Sequence, residues 1–234
     1  MVLMVVALAV ALQAPTSPEG RELVTAIEQS IAKARADNAA LPPATSDVER
    51  LQRLTELDQA PRRIITTFDF ARIPEADRAT ALNAASARIE AVDDENLKIL
   101  LAMVPPEGWF LTSKYGKAAR TAFHIVQHSD VETQKRFLPT LETLVPAGEI
   151  DGQSYGMMFD RVAISEGRPQ RYGSQFRCDG GKWRPYPMEA PAEVDARRKA
   201  IGFPGGFAAY KAHFDTSPTC PQTRSPPPPG MVLD

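Results

Sequence analysis

SKYGKAARTAFHIVQHS, residues 113–129, sorts into two faces when wound as a helix at about 100° per residue. Ala118, Ala119, Ala122, Phe123, Ile125 and Val126 fall on one side, and Lys117, Arg120, Thr121, His124, Gln127 and His128 on the other. An apolar stripe of this width needs a core to cover it, so the segment predicts a helix packed by one face. Its polar face holds two of the chain's three histidines at i, i+4, where both imidazoles project the same way.

The same period continues outward. Upstream, Leu23, Ile27 and Ile31 recur at helical spacing, with Ser17 placed to cap the helix. LPPATSD breaks the chain, and a second helix opens near Ser46 or Asp47 on the stripe Val48, Leu51, Leu54 and Leu57. A third runs from PEADR to Pro105 and Pro106. Downstream, DVETQKRFLPTLETLV predicts a helix that Pro139 kinks or stops early, and DGQSYGMMFDRVAIS predicts another, ended by EGRP. Two short extended runs around CDGGK predict a β-hairpin over residues 170–187, because Asp-Gly and Gly-Gly supply the positive φ of tight hairpin turns. PAEVDARRKAIGF and FAAYKAHF follow as helices. The expected fold class is therefore mainly α, a single helical domain over residues 17–214 with one small β-hairpin near its C-terminal side.

The 234 residues, 43% hydrophobic and 24% charged, suffice for a buried core. A net charge of −2 with no Lys/Arg-rich cluster argues against a nucleic-acid partner, since phosphate contacts supply most non-specific affinity. MVLMVVALAVAL, residues 1–12, is too short to span a bilayer, which takes about 20 residues. Its length fits the apolar region of a signal peptide over residues 1–14, with small-residue cleavage options after Ala11 or Ala14, although no basic residue precedes it. The expectation is a secreted or periplasmic protein with no stable membrane insertion after cleavage. In such a compartment Cys178 and Cys220 form one disulfide or stay as two thiols, and neither lies in a C-x-x-C pair. The Pro-rich tail, residues 215–234, is expected to be disordered.

Polar chemistry concentrates in three places. His124 and His128 have the spacing of a helical zinc pair, but Ile125 stands where a metalloprotease helix carries its glutamate. A third ligand would have to come from Asp130, Asp160 or elsewhere, and the reading is no metal and no cofactor. Asp160 and Arg161 sit in a helix that is apolar nearly all round, so their charges require polar partners from other segments. QRYGSQF offers them, alternating Gln170, Tyr172 and Ser174 against Arg171, Gly173 and Gln175 as a strand would. Gly173 there allows a bulge or a close backbone approach.

Taken in order, Gln127-His128, Asp160-Arg161 and the run GRPQRYGSQ, residues 167–175, resemble an uncharacterised bacterial family, a domain of unknown function. Weaker similarity extends to DQAPR (Asp58, Gln59, Arg62), to DDEN ahead of Gly108 and Trp109, and to the stretch around Tyr186 and Arg197. It spans roughly residues 50–210. In that pattern the histidine falls on His128, the position of His124 is apolar, and Ser174 replaces a threonine while keeping the hydroxyl. The resemblance implies no established activity.

Three readings of these residues stay open. An enzyme would use His128 as general base with Asp160 orienting it, in hydrolysis or transfer through activated water. Arg161 or Arg171 would then hold an anionic group, and Gln127, Gln170, Tyr172 and Gln175 would position the substrate. A non-catalytic module would bind a small polar ligand or peptide with the same set. A structural network would use it to join the hairpin to the helices.

Overall fold

The computed structural model describes residues 13–216. The apolar segment 1–12, the tail from 217 and Cys220 lie outside the described residues, and with them the signal-peptide, tail and disulfide expectations. Along the chain come α1 (Pro18–Ala39), α2 (Asp47–Thr67), α3 (Glu75–Leu101), the single turn α4 (Thr112–Tyr115), α5 (Ala119–His128), α6 (Val131–Leu144) and α7 (Gly152–Ser165). The hairpin strands β1 (Phe176–Asp179) and β2 (Lys182–Pro185) follow, then α8 (Val194–Ala200) and α9 (Phe207–Asp215). The fold is mainly helical with one two-stranded hairpin, as its periodicity implies. Among the described residues no helix is long and apolar enough to cross a membrane.

The described residues gather into two compact units, residues 13–42 with 59–92, and residues 43–58 with 93–216. In the first unit, Ser17 caps α1 by accepting the Gly20 N–H, and Leu23, Ile27 and Ile31 are buried along one face. Asp77, in the first turn of α3, ties this cap down. Its carboxylate accepts the Ser17 hydroxyl at 2.6 Å and the N–H groups of Ser17 and Thr16 at 2.9 and 3.1 Å.

The second unit carries the larger core. Trp109 and Phe110 are fully buried, and Trp109 meets Phe137 edge-on with centroids 5.4 Å apart. Residues 113–129 are not one helix: Gly116, at φ 56°, breaks the run into α4 and α5. Pro139 does not stop α6, which continues to Leu144 with Phe137 and Leu141 buried on either side of it. Packing on that face outweighs the one backbone hydrogen bond a proline removes. The hairpin turn is Gly180-Gly181, both at positive φ, with Asp179 paired to Lys182. QRYGSQF is not a strand. Residues 171–175 form a bent loop in which Gly173, at φ 67°, leaves room for the Phe207 ring, and β1 begins only at Phe176.

The Ser17 hydroxyl, with the Ser17 and Thr16 N–H groups, holds the Asp77 carboxyl down at about 2. A carboxyl depressed in the folded state adds stability that is complete above its unfolded value of about 4 and is lost as pH falls towards 2. The thermal midpoint of the wild type should therefore exceed that of Asp77→Asn at neutral pH. The difference should close between about pH 4 and pH 2, as measured by circular dichroism melts of the two proteins in parallel.

Candidate functional site

Leu51 and Leu54 are buried on α2, and the next position on that face is Asp58, only 2% exposed. A carboxylate thus stands where the apolar stripe calls for a hydrophobic side chain. On α3 the same happens twice: Asp93 and Asn96, at 8% and 1% exposure, interrupt the buried series that ends in Leu100. Buried polar groups of this kind require polar company. Asp58 has it, because His128, the last residue of α5, points its Nδ1 at Asp58 Oδ1 across 2.8 Å. Ligand atoms of Asp58, Asp93 and His128 all lie within 4.8 Å of one another.

Part of the polar face is therefore turned inward, while Lys117 and Arg120 on the same face stay exposed. Thr121 and Gln127 are buried with 4% and 7% exposure, and Thr121 shares a 2.5 Å hydroxyl–hydroxyl hydrogen bond with Thr55, one turn before Asp58 on α2. Two contacts between the same pair of helices, Thr55 with Thr121 and Asp58 with His128, set the imidazole's position. The His124 ring stacks on His128 with centroids 6.1 Å apart but lies outside the three-residue cluster. Asp130 caps α6, accepting the Thr133 N–H at 2.8 Å.

Arg161 and Gln134 close the end of α5. Arg161 Nη1 donates to the Gln127 carbonyl at 3.0 Å, while Gln134 Nε2 donates to the carbonyls of Gln127 and Ser129. Cationic and amide donors at a helix C-terminus satisfy carbonyls that have no partner within the helix. Arg161 is thus brought to the Gln127 carbonyl, the residue before His128 in the chain.

Asp160 faces elsewhere. Fully buried, its carboxylate accepts the backbone N–H groups of Arg171, Tyr172 and Ser174 at 2.7, 3.0 and 2.9 Å. Burial pushes its carboxyl up, against the downward pull of those three donors. The carboxylate that meets the imidazole is Asp58, not Asp160, and this corrects the expected pairing. The fully buried Gln170 side chain donates to the carbonyls of Gln175 and Tyr186 and accepts the Gln175 N–H. Gln175 Nε2 reaches the Met157 carbonyl and the Ser174 hydroxyl. Tyr172 is buried, meets Phe159 edge-on, and is pushed up by burial, while Arg171 is exposed. Consecutive residues on α7 therefore serve opposite ends: Asp160 holds the loop and Arg161 holds α5.

Period analysis could have flagged Asp58 and Asp93, since each is a charged residue in line with an apolar stripe. Nothing in the spacing pairs them with His128. Removing Asp160 would leave three backbone N–H groups buried with no acceptor. Asp160→Ala should lower the unfolding free energy by about 3–5 kcal/mol. Denaturant titration measures it, and a loss under about 1 kcal/mol would mean the loop does not depend on the carboxylate.

Comparison with known proteins adds one finding. No curated protein and no solved structure matches the chain. Residues 46–212, which include all three clustered side chains, match the model of a family of unknown function. A match across that much of the sequence amounts to membership, and the protein belongs to that family, DUF6624.

Proposed function

We propose that the second unit carries out hydrolysis or group transfer on a small polar substrate through activated water, with His128 as the general base. The observation that carries this reading is the 2.8 Å bond from His128 Nδ1 to Asp58. Asp58 is buried while the His128 side chain keeps 18% of its surface exposed. Engaging Nδ1 as a donor leaves Nε2 as the lone-pair nitrogen, which is the tautomer a base needs. The carboxylate orients the ring and stabilises the imidazolium that forms when a water proton is taken. Gln127 and Arg161 fix the last turn of α5 and so the direction from which the ring works. Gln170, Tyr172 and Gln175 are assigned to the scaffold, because their polar groups or rings are committed to the loop, the hairpin and α7.

His128→Gln keeps a polar side chain but cannot accept the proton. Against a panel of small polar esters, amides, phosphates and glycosides, it should lose about 10²- to 10⁴-fold in kcat/KM while retaining the wild-type circular dichroism spectrum. Asp58→Asn should shift the ring towards the other tautomer, visible in imidazole nitrogen chemical shifts. Turnover by His128→Gln within about twofold of wild type would exclude the base role. A wild-type ring found in the Nε2–H form would remove its physical basis.

A further inference from the structure

We infer that Asp58, Asp93 and His128 are the three protein ligands of a divalent transition-metal site. The inference rests on the reading of this cluster as the working site and names the ion that site takes. Its first support is geometric: one imidazole nitrogen and two carboxylate oxygens come within 4.8 Å of one another, so that small side-chain rotations bring all three to the distance of about 2.0–2.2 Å at which a single cation is held. The ligands come from three helices, α2, α3 and α5, so their convergence is not a by-product of one helix face. They are also enclosed, with Asp58 at 2% and Asp93 at 8% exposure, unlike the solvated acidic clusters common on protein surfaces.

A second observation points the same way. Asn96 lies one turn beyond Asp93 on the same face of α3, is 1% exposed, and its Nδ2 has no hydrogen-bond partner. A buried amide donor beside the cluster suits an acceptor brought by the ion, such as a metal-bound water or an anionic substrate oxygen. One nitrogen and two oxygens form a set suited to zinc, manganese or ferrous iron rather than to calcium or copper(I). Three protein ligands leave at least one coordination position open, which is the arrangement of catalytic rather than structural sites. In the loaded state the lone pair of His128 is held by the ion, so the ion rather than the imidazole lowers the cost of deprotonating water, and the base role of His128 belongs to the metal-free protein.

The test uses the full chain stripped of metal by chelation and then titrated with zinc or with cobalt(II), read by calorimetry, by elemental analysis after gel filtration, and by the cobalt visible spectrum. One equivalent is expected in the wild type, weakened more than about tenfold in Asp93→Asn and in His128→Gln. His124→Gln, on the same face of α5 but outside the cluster, should bind as wild type does. Asp93→Asn changes only one atom, and matching circular dichroism spectra separate lost ligation from lost fold. A wild-type protein that takes up no zinc and gives no cobalt spectrum overturns the inference and leaves the imidazole-base reading standing. So does binding that depends on His124 and not on Asp93. Conversely, turnover that survives in His128→Gln overturns the base reading without altering the metal stoichiometry of the wild type.

Discussion

A single buried carboxylate organises the C-terminal half of the chain. Asp160 carries a charge into a place with no exposed surface, and the loop 171–174 turns three backbone N–H groups towards it. Everything after the loop is then placed from it. The Tyr172 carbonyl accepts Arg198 Nη1 at 2.8 Å, and the Arg198 guanidinium lies 3.7 Å from the Phe203 ring centroid and 4.9 Å from that of Tyr210. Burial pulls the Arg198 guanidinium down from its usual value, a cost offset by carbonyl acceptors and aromatic faces. Gln170 fixes the loop to Tyr186 beyond the hairpin, and Gly173 admits Phe207 from α9. Without the carboxylate, the loop would have no reason to bend where it does.

Close packing adds a second constraint on the same region. A Cβ at Gly152 would lie 1.7 Å from the Ile201 carbonyl oxygen, and one at Gly156 would lie 2.9 Å from the Phe203 ring. The segment after α8 therefore presses directly on the backbone of α7, the helix that carries Asp160 and Arg161. Position and charge on α7 are set together, and through Arg161 the end of α5 is set with them.

Two kinds of buried acid emerge from this arrangement. Asp160 is saturated by backbone donors, which cannot gain or lose protons in the physiological range, so it is structural. Asp58 is opposed by an imidazole that is still partly exposed, and a second carboxylate stands within reach. The difference is not in burial, which is near complete for both, but in the partner. A fixed amide donor ends the chemistry at a carboxylate, whereas a titratable ring or a cation opens it.

The helices were legible because their apolar side chains recur every three or four residues, and the hairpin because Asp179, Gly180 and Gly181 allow little else than a tight turn. QRYGSQF was misread because its alternation fits a strand as well as a bent loop, and only the carboxylate of Asp160 decides between them. Ser17 as a cap and the need of Asp160 for partners followed from local pattern, and His128 was singled out by the family resemblance. The acid that meets His128 did not, for it lies 70 residues away on another helix. Helical period determines which face of its own helix a side chain occupies, and to that extent the chain alone determined the elements, while the burial of Asp58 became visible only in the packed structure. Which helices meet, and at what register, is settled by the close packing of the core, so the union of Asp58, Asp93 and His128 belongs to the tertiary structure.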